Sequence, residues 1–267
     1  MLTDTHCHLA AAEFAADRGE LVAAARAAGV SRIVVPAVER ANFAEVRDCC
    51  TRYAGCAPAY GIHPLCVAQA DETQLADLRD WIAQSAAGPQ RVVAVGEIGL
   101  DFFIAEPDVE RQEHFFVEQL KIARDAQLPV LLHVRRAVDR VLRNLRRIRV
   151  PGGIAHAFNG SRQQADEFIG LGFKLGFGGS LTFRGSRRIR ELAAALPLAS
   201  IVLETDAPDM PPAWLGGAVM EEWREGGLIF RHEPRLDVER GEVAGHLHPA
   251  ASVAKYGRGV RRRCFVA

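Results

Sequence analysis

From the first residues to about residue 205, short apolar runs alternate with stretches whose apolar residues recur at helical spacing. This rhythm limits the fold more than any other feature, because parallel strands cannot be joined by tight turns and need a crossover connection. The runs lie near residue 4 and at 32–36, 57–63, 91–97, 129–133, 153–156, 173–177 and 200–205. Between them the spacing predicts helices over 18–28, 40–53, 71–86, from Pro107 onward, 137–149, 161–171 and around 189–196. Phe116, Leu120 and Ala123 recur at i, i+4 and i+7 and line one buried stripe. Eight strands with helices between them give an α/β fold of the TIM-type (β/α) barrel kind. A chain of 267 residues fits one such barrel better than two small domains.

Net charge narrows the partners. Lys+Arg and Asp+Glu both number 33, so there is no overall pull toward nucleic acid or an anionic membrane, and such a partner must be met by a local patch. The six cysteines show no C-x-x-C spacing, and two of them, Cys49 and Cys50, are adjacent. Reduced thiols and a cytoplasmic location are expected from that pattern. No apolar run approaches the length that spans a bilayer, and no basic segment followed by an apolar stretch opens the chain.

Chemistry is concentrated at the ends of the apolar runs. His6 and His8 are one residue apart next to Asp4, and on an extended segment their side chains would point the same way. Glu97, His133, His156 and Asp206 each close a separate run, which is where a barrel enzyme gathers its functional groups. Each has a plainer reading: the histidines as core residues with satisfied nitrogens, Glu97 as a salt-bridged acid, Asp206 as a helix N-cap ahead of Pro208. Several acids and imidazoles at strand ends of one barrel are better explained together as a metal site. Imidazole and carboxylate donors suit Zn, Mn, Co or Ni, and the oxygen donors leave Mg open.

The segments Asp4-Thr5-His6-Cys7-His8, Gly61-Ile62-His63-Pro64, Gly96-Glu97-Ile98-Gly99-Leu100-Asp101, Leu128 to Arg135, His156 to Ser161 and Glu204-Thr205-Asp206-Ala207-Pro208 occur in that order. Together they resemble the TatD family of metal-dependent hydrolases and deoxyribonucleases, in particular its less characterised branch, over about residues 2–212. The resemblance implies a TIM-type barrel with His6, His8, Glu97, His133, His156 and Asp206 as ligands of two divalent cations and Glu97 bridging them. It also implies that His63 and Arg135 face the substrate and that Glu204 is an acid standing behind the ligands. The expected activity is hydrolysis of a phosphodiester by metal-activated water, as in a deoxyribonuclease of the 3′ exonuclease type, with Asp206 as proton acceptor. The expected partner is DNA or another phosphodiester.

Beside that site, Arg135, Arg136, Arg140, Arg143, Arg146, Arg147 and Arg149 crowd one segment, either to grip a nucleic-acid backbone or as a hydrated outer helix face. Phe102 and Phe103 could stack on bases or cover the barrel mouth. Two other readings remain: a barrel hydrolase of a small amide, lactone or ester, and a catalytically impaired barrel that binds nucleic acid or a partner. Residues 1–212 form the expected barrel. Residues 213–267 are glycine-interrupted, end in a basic run and depart from the family pattern, so they are expected to be a divergent, poorly ordered or frameshifted tail with only a short helical stretch around 219–224.

Overall fold

The computed structural model describes residues 2–87 and 90–213, and beyond them the backbone of short strands within 222–262. Strands β1 (Leu2–Asp4), β2 (Val30–Pro36), β3 (Cys56–Tyr60), β4 (Ala94–Asp101), β5 (Val130–Arg135), β6 (Gly153–Ala155), β7 (Phe173–Phe177) and β8 (Ile201–Leu203) form one eight-stranded sheet in chain order. The pairs β1–β2, β3–β4, β4–β5, β5–β6 and β6–β7 are parallel. Helices α1 (Arg18–Ala27), α2 (Phe43–Arg52), α3 (Glu72–Ala87), α4 (Val109–Asp125), α5 (Val138–Arg147), α6 (Arg162–Gly170) and α7 (Arg187–Ala195) supply the crossovers. The alternation expected from the sequence is therefore present element by element. Two compact units share it, one of residues 34–176 and the other of 1–33 with 177–267.

In the unit 34–176, α4 shows how the periodicity becomes position. Its N-cap Asp108 accepts from the Arg111 amide at 3.0 Å, so the helix starts after Pro107 and Asp108. One face buries Phe115, Phe116, Leu120 and Ala123, each phenyl contributing about 1.5–3 kcal/mol. Two glutamines on the same helix serve the backbone of the sheet instead. Gln119 accepts from the Ile62 amide at 2.7 Å and donates to its carbonyl at 3.1 Å. Gln112 does the same for Asp101, at 2.9 and 3.0 Å. Each side chain thus replaces a sheet partner where β3 or β4 ends, and leaving such a buried pair unmade costs about 1–3 kcal/mol.

The central strand differs from its expectation. β4 begins at Ala94 and runs through Gly96 and Gly99 to Asp101, with all eight residues buried. Gly99 is a packing requirement: it has φ +151, and a Cβ on it would lie 1.9 Å from the His133 carbonyl oxygen. The arginine-rich α5 buries Val141, Leu142, Asn144 and Leu145. Its arginines turn outward, Arg143 lying 2.5 Å and Arg140 3.5 Å from Glu113, with Arg146 paired to Glu167. The hydrated-face reading holds for these three.

In the other unit, α1 ends at Ala27 with Ala28 as its C-cap, and Gly29, at φ +91, turns the chain away from the helix. The segment after β1 is laced to the segment after β8: Thr5 donates to Leu203 O, Asp206 to His6 O and His8 to Ala207 O, at 2.8–3.1 Å. Beyond residue 213, β9 (Glu222–Glu225) pairs antiparallel with β10 (Leu228–Arg231), which pairs with β11 (Glu242–Ala244); β12 (Ala251–Lys255) pairs with β13 (Arg258–Arg262). The short helix expected around 219–224 is corrected where it can be read: Glu222 to Arg224 are strand, since a helix that short is unstable alone and pairing satisfies the same backbone groups. Most of the remaining expected tail lies outside the described residues. Cys7, Cys49, Cys50, Cys56 and Cys66 are reduced and form no disulfide, as expected. Among the described residues, no helix is long and apolar enough to cross a membrane.

Candidate metal centre

Unit 34–176 builds one cluster around Glu97. Its side chain is 2% exposed, and its Oε1 lies 3.0 Å from His133 Nδ1, 3.0 Å from His156 Nε2 and 3.4 Å from His63 Nε2. The imidazoles reach it because β4 and β5 pair Gly99 with His133, and because the His156 amide donates to Leu132 O at 3.0 Å as β6 ends. The donor atoms of His63, Glu97 and His133 all lie within 4.8 Å of one another. His63, expected to face substrate, is thus also close enough to be a ligand. Its Nδ1 accepts from the Leu65 amide at 3.2 Å, and burial holds its pKa below the ordinary histidine range despite the pull of Glu97.

Sequence reasoning missed Asp101. This fully buried carboxylate takes His133 Nε2 at 2.9 Å through one oxygen and the Phe103 amide at 2.8 Å through the other. Burial pulls the His133 pKa down, but its hydrogen bonds to Asp101 and Glu97 outweigh that and raise it. Burial likewise works to raise the Asp101 carboxyl, and His133 outweighs it and holds it low. Asp101 on Nε2 leaves Nδ1 facing Glu97, so that a cation replacing the Nδ1 proton would meet an imidazole already oriented by an outer carboxylate. The available signal was period two: Glu97, Gly99 and Asp101 share one face of β4.

The other unit builds a second cluster. His6 Nε2 and His8 Nε2 are 3.3 Å apart, and Asp206 Oδ1 lies 3.6 Å from each. β1 ends at Asp4 and β8 at Leu203, so these groups sit on loops rather than on alternating strand positions. Asp206 has φ +59, which turns its side chain in a way strand alternation does not describe. Glu204, also buried, follows β8 and donates its amide to Phe177 O at 3.3 Å. Gly178 packs on it, since a Cβ there would lie 2.6 Å from the Glu204 carbonyl oxygen. Arg135 lies at the exposed end of β5 with its guanidinium over the Phe103 ring.

Asp4, 3% exposed, holds this loop pair together by accepting from the His6 amide at 3.2 Å, the Thr205 amide at 3.1 Å and the Thr205 hydroxyl at 2.7 Å. Burial nevertheless pushes its carboxyl up to about 7. An acid raised on folding stabilises the fold fully below its unfolded value of about 4, and that contribution is lost as pH rises through the folded value. After chelation, Tm should therefore fall as pH rises from about 4 through about 7, and Asp4→Asn should flatten the fall. Asparagine keeps an acceptor for the two amides, and the Thr205 hydroxyl can turn to His6 O, 3.4 Å away. An identical pH slope in both proteins would show that the fall arises elsewhere.

Both clusters fit a divalent metal by donor chemistry: imidazole nitrogens and carboxylate oxygens, buried and crowded to near contact. The family model described as TatD related DNase matches residues 3–226. The chain belongs to the TatD family. It is 44% identical over 209 residues to the uncharacterized metal-dependent hydrolase YjjV of Escherichia coli K12, covering 78% of this chain and 80% of that one. The crystal structure of YjjV aligns with a TM-score of 0.75 at 43% identity, covering 79% and 81%. The 3'-5' ssDNA/RNA exonuclease TatD of Cronobacter sakazakii is 35% identical over 212 residues, covering 78% and 79%. A TatD family hydrolase of Entamoeba histolytica, 18% identical, shares the fold at a TM-score of 0.71 over 84% and 81% of the chains. This TatD-family chain is thus a TIM-type barrel of a metal-dependent hydrolase family, with His, Glu and Asp clusters able to hold metal.

Proposed function

We propose that the protein is a divalent-metal-dependent phosphodiesterase that removes nucleotides from the 3′ end of single-stranded DNA or RNA. His6, His8, Glu97, His133, His156 and Asp206 would hold the divalent cations in this reading. The reading rests on the His133 and His156 imidazoles, each 3.0 Å from Glu97 Oε1, a donor set matched to borderline divalent ions. Family membership supports hydrolysis, and the relative named a 3'-5' ssDNA/RNA exonuclease supports the substrate class. Bound there, such ions acidify water and neutralise charge on phosphoryl oxygens.

The protein's own groups do the rest. Asp206 accepts the proton from the attacking water and Glu204, buried two residues away, steadies the charge around it. His63 donates from Nε2, a role consistent with its Nδ1 being occupied by the Leu65 amide. Arg135 offers planar guanidinium donors to a phosphate. Asp101 keeps His133 in one tautomer throughout. The five reduced cysteines fit a reducing, cytoplasmic setting.

The test is a screen of the metal-supplemented protein on 5′-labelled single-stranded and duplex DNA, RNA, an amide and a lactone. Stepwise shortening of single strands from the 3′ end is expected, abolished by chelation and restored by one or more of Mg, Mn, Co, Ni or Zn. Turnover of the lactone or amide with intact nucleic acid would replace this reading with that of a small-ester or amide hydrolase. Bound metal without any hydrolysis would point to a binding protein.

A further inference from the structure

Three residues at the ends of β4 and β5, Phe103, Arg135 and Arg136, form one group, and of these only Arg135 has so far been given a role. Phe103 is a large apolar side chain left 47% exposed. The guanidinium carbons of Arg135 and Arg136 lie over its ring, 3.8 and 4.4 Å from the centre. No carboxylate among the described residues forms an ion pair with either arginine, in contrast to Arg140, Arg143 and Arg146 on the neighbouring helix. Two like charges side by side on one ring, with the nearby Asp101 carboxylate already engaged by His133 and the Phe103 amide, are arranged for an anionic ligand.

The position of this group is fixed relative to His133. Asp101 binds His133 Nε2 through one oxygen and the Phe103 amide through the other, and the Phe102 amide donates to Arg135 O at 2.8 Å. Arg135 follows His133 by two residues on β5, on the same face and about 6–7 Å along the strand. We infer that Phe103 and Arg136, with Arg135, form a subsite for the nucleotide next to the scissile phosphodiester: a base stacks on the exposed phenyl and guanidinium surface, and the arginines take its phosphate. Stacking requires an unpaired base, so the subsite selects single strands over duplex. This rests on the nuclease reading but adds to it a specificity element belonging to Arg136 and Phe103.

The experiment measures binding of the full-length, metal-loaded protein to a labelled single-stranded oligonucleotide by fluorescence anisotropy, in an Asp206→Asn background so that the strand is not cut. Arg136→Ala should weaken binding about tenfold and reduce the log–log salt slope by about 0.7, the value for one lost phosphate contact on a single strand. Phe103→Ala should weaken it about tenfold with the slope unchanged. Arg143→Ala, on the outer helix face and paired with Glu113, serves as the control and should leave both unchanged. Affinities of the Phe103 and Arg136 variants equal to that of the background protein would overturn the subsite, as would duplex bound as tightly as the single strand. A wild-type protein that binds the strand yet hydrolyses no phosphodiester overturns the nuclease reading alone, and the variants' affinities still decide the subsite.

Discussion

Asp206→Asn should reduce hydrolysis by about 10²–10⁴-fold, the range expected when a positioned proton acceptor is removed. The fold should survive, for a local reason. Asp206 has φ +59, a conformation that asparagine tolerates better than most residues, and its amide still donates to His6 O at 2.8 Å. Elemental analysis separates the two roles assigned to this carboxylate. Full metal content with the rate lost assigns proton acceptance, whereas joint loss of metal and rate assigns ligation. Wild-type turnover would remove Asp206 from the chemistry altogether.

Gly99→Ala should be among the most damaging single substitutions in the chain. The new methyl would stand 1.9 Å from the His133 carbonyl oxygen at a φ of +151, and the neighbouring atoms are backbone, which cannot swing aside. Relieving that overlap means separating β4 from β5, the two strands that bring Glu97 and Asp101 to His133. A destabilisation of about 4 kcal/mol or more is expected, and with it a Tm about 10 °C lower or a failure to accumulate soluble protein. Gly170→Ala is the matched control. It ends α6 with nothing within 4 Å of a new Cβ, so it should be neutral or slightly stabilising. Equal Tm changes in the two variants would show that the close approach at Gly99 is not what sets the strand pairing.

The legibility of this chain follows from the range over which each signal acts. β7 occupies the expected residues, Phe173–Phe177, and Gly172 at φ +88 turns the chain just before it. Each of the seven helices fell where apolar spacing placed it, since one turn of helix already contains the contact that matters. β4 runs past its expected end at Glu97 because Gly99 lets it lie close against β5, a tertiary requirement that a local apolar run does not record. His6, His8 and Asp206 lie on loops past the ends of β1 and β8, and the two imidazoles face the same way there, with their Nε2 atoms 3.3 Å apart. What brings them together is the row of backbone hydrogen bonds between residues 5–8 and 203–207.

By itself the sequence determined the rhythm of eight strands and seven helices, the family, and the nitrogen and oxygen donors at the strand ends, because periodicity and residue type are local properties. Only the tertiary structure decided what each polar group does. It gave Asp101 both His133 and the Phe103 amide, spent the α5 arginines on Glu113 and Glu167, and left Arg135 and Arg136 resting on an exposed ring. Those assignments depend on strand register and on contacts tens of residues apart, and a register shift of one residue would reverse every one of them while leaving the local pattern unchanged.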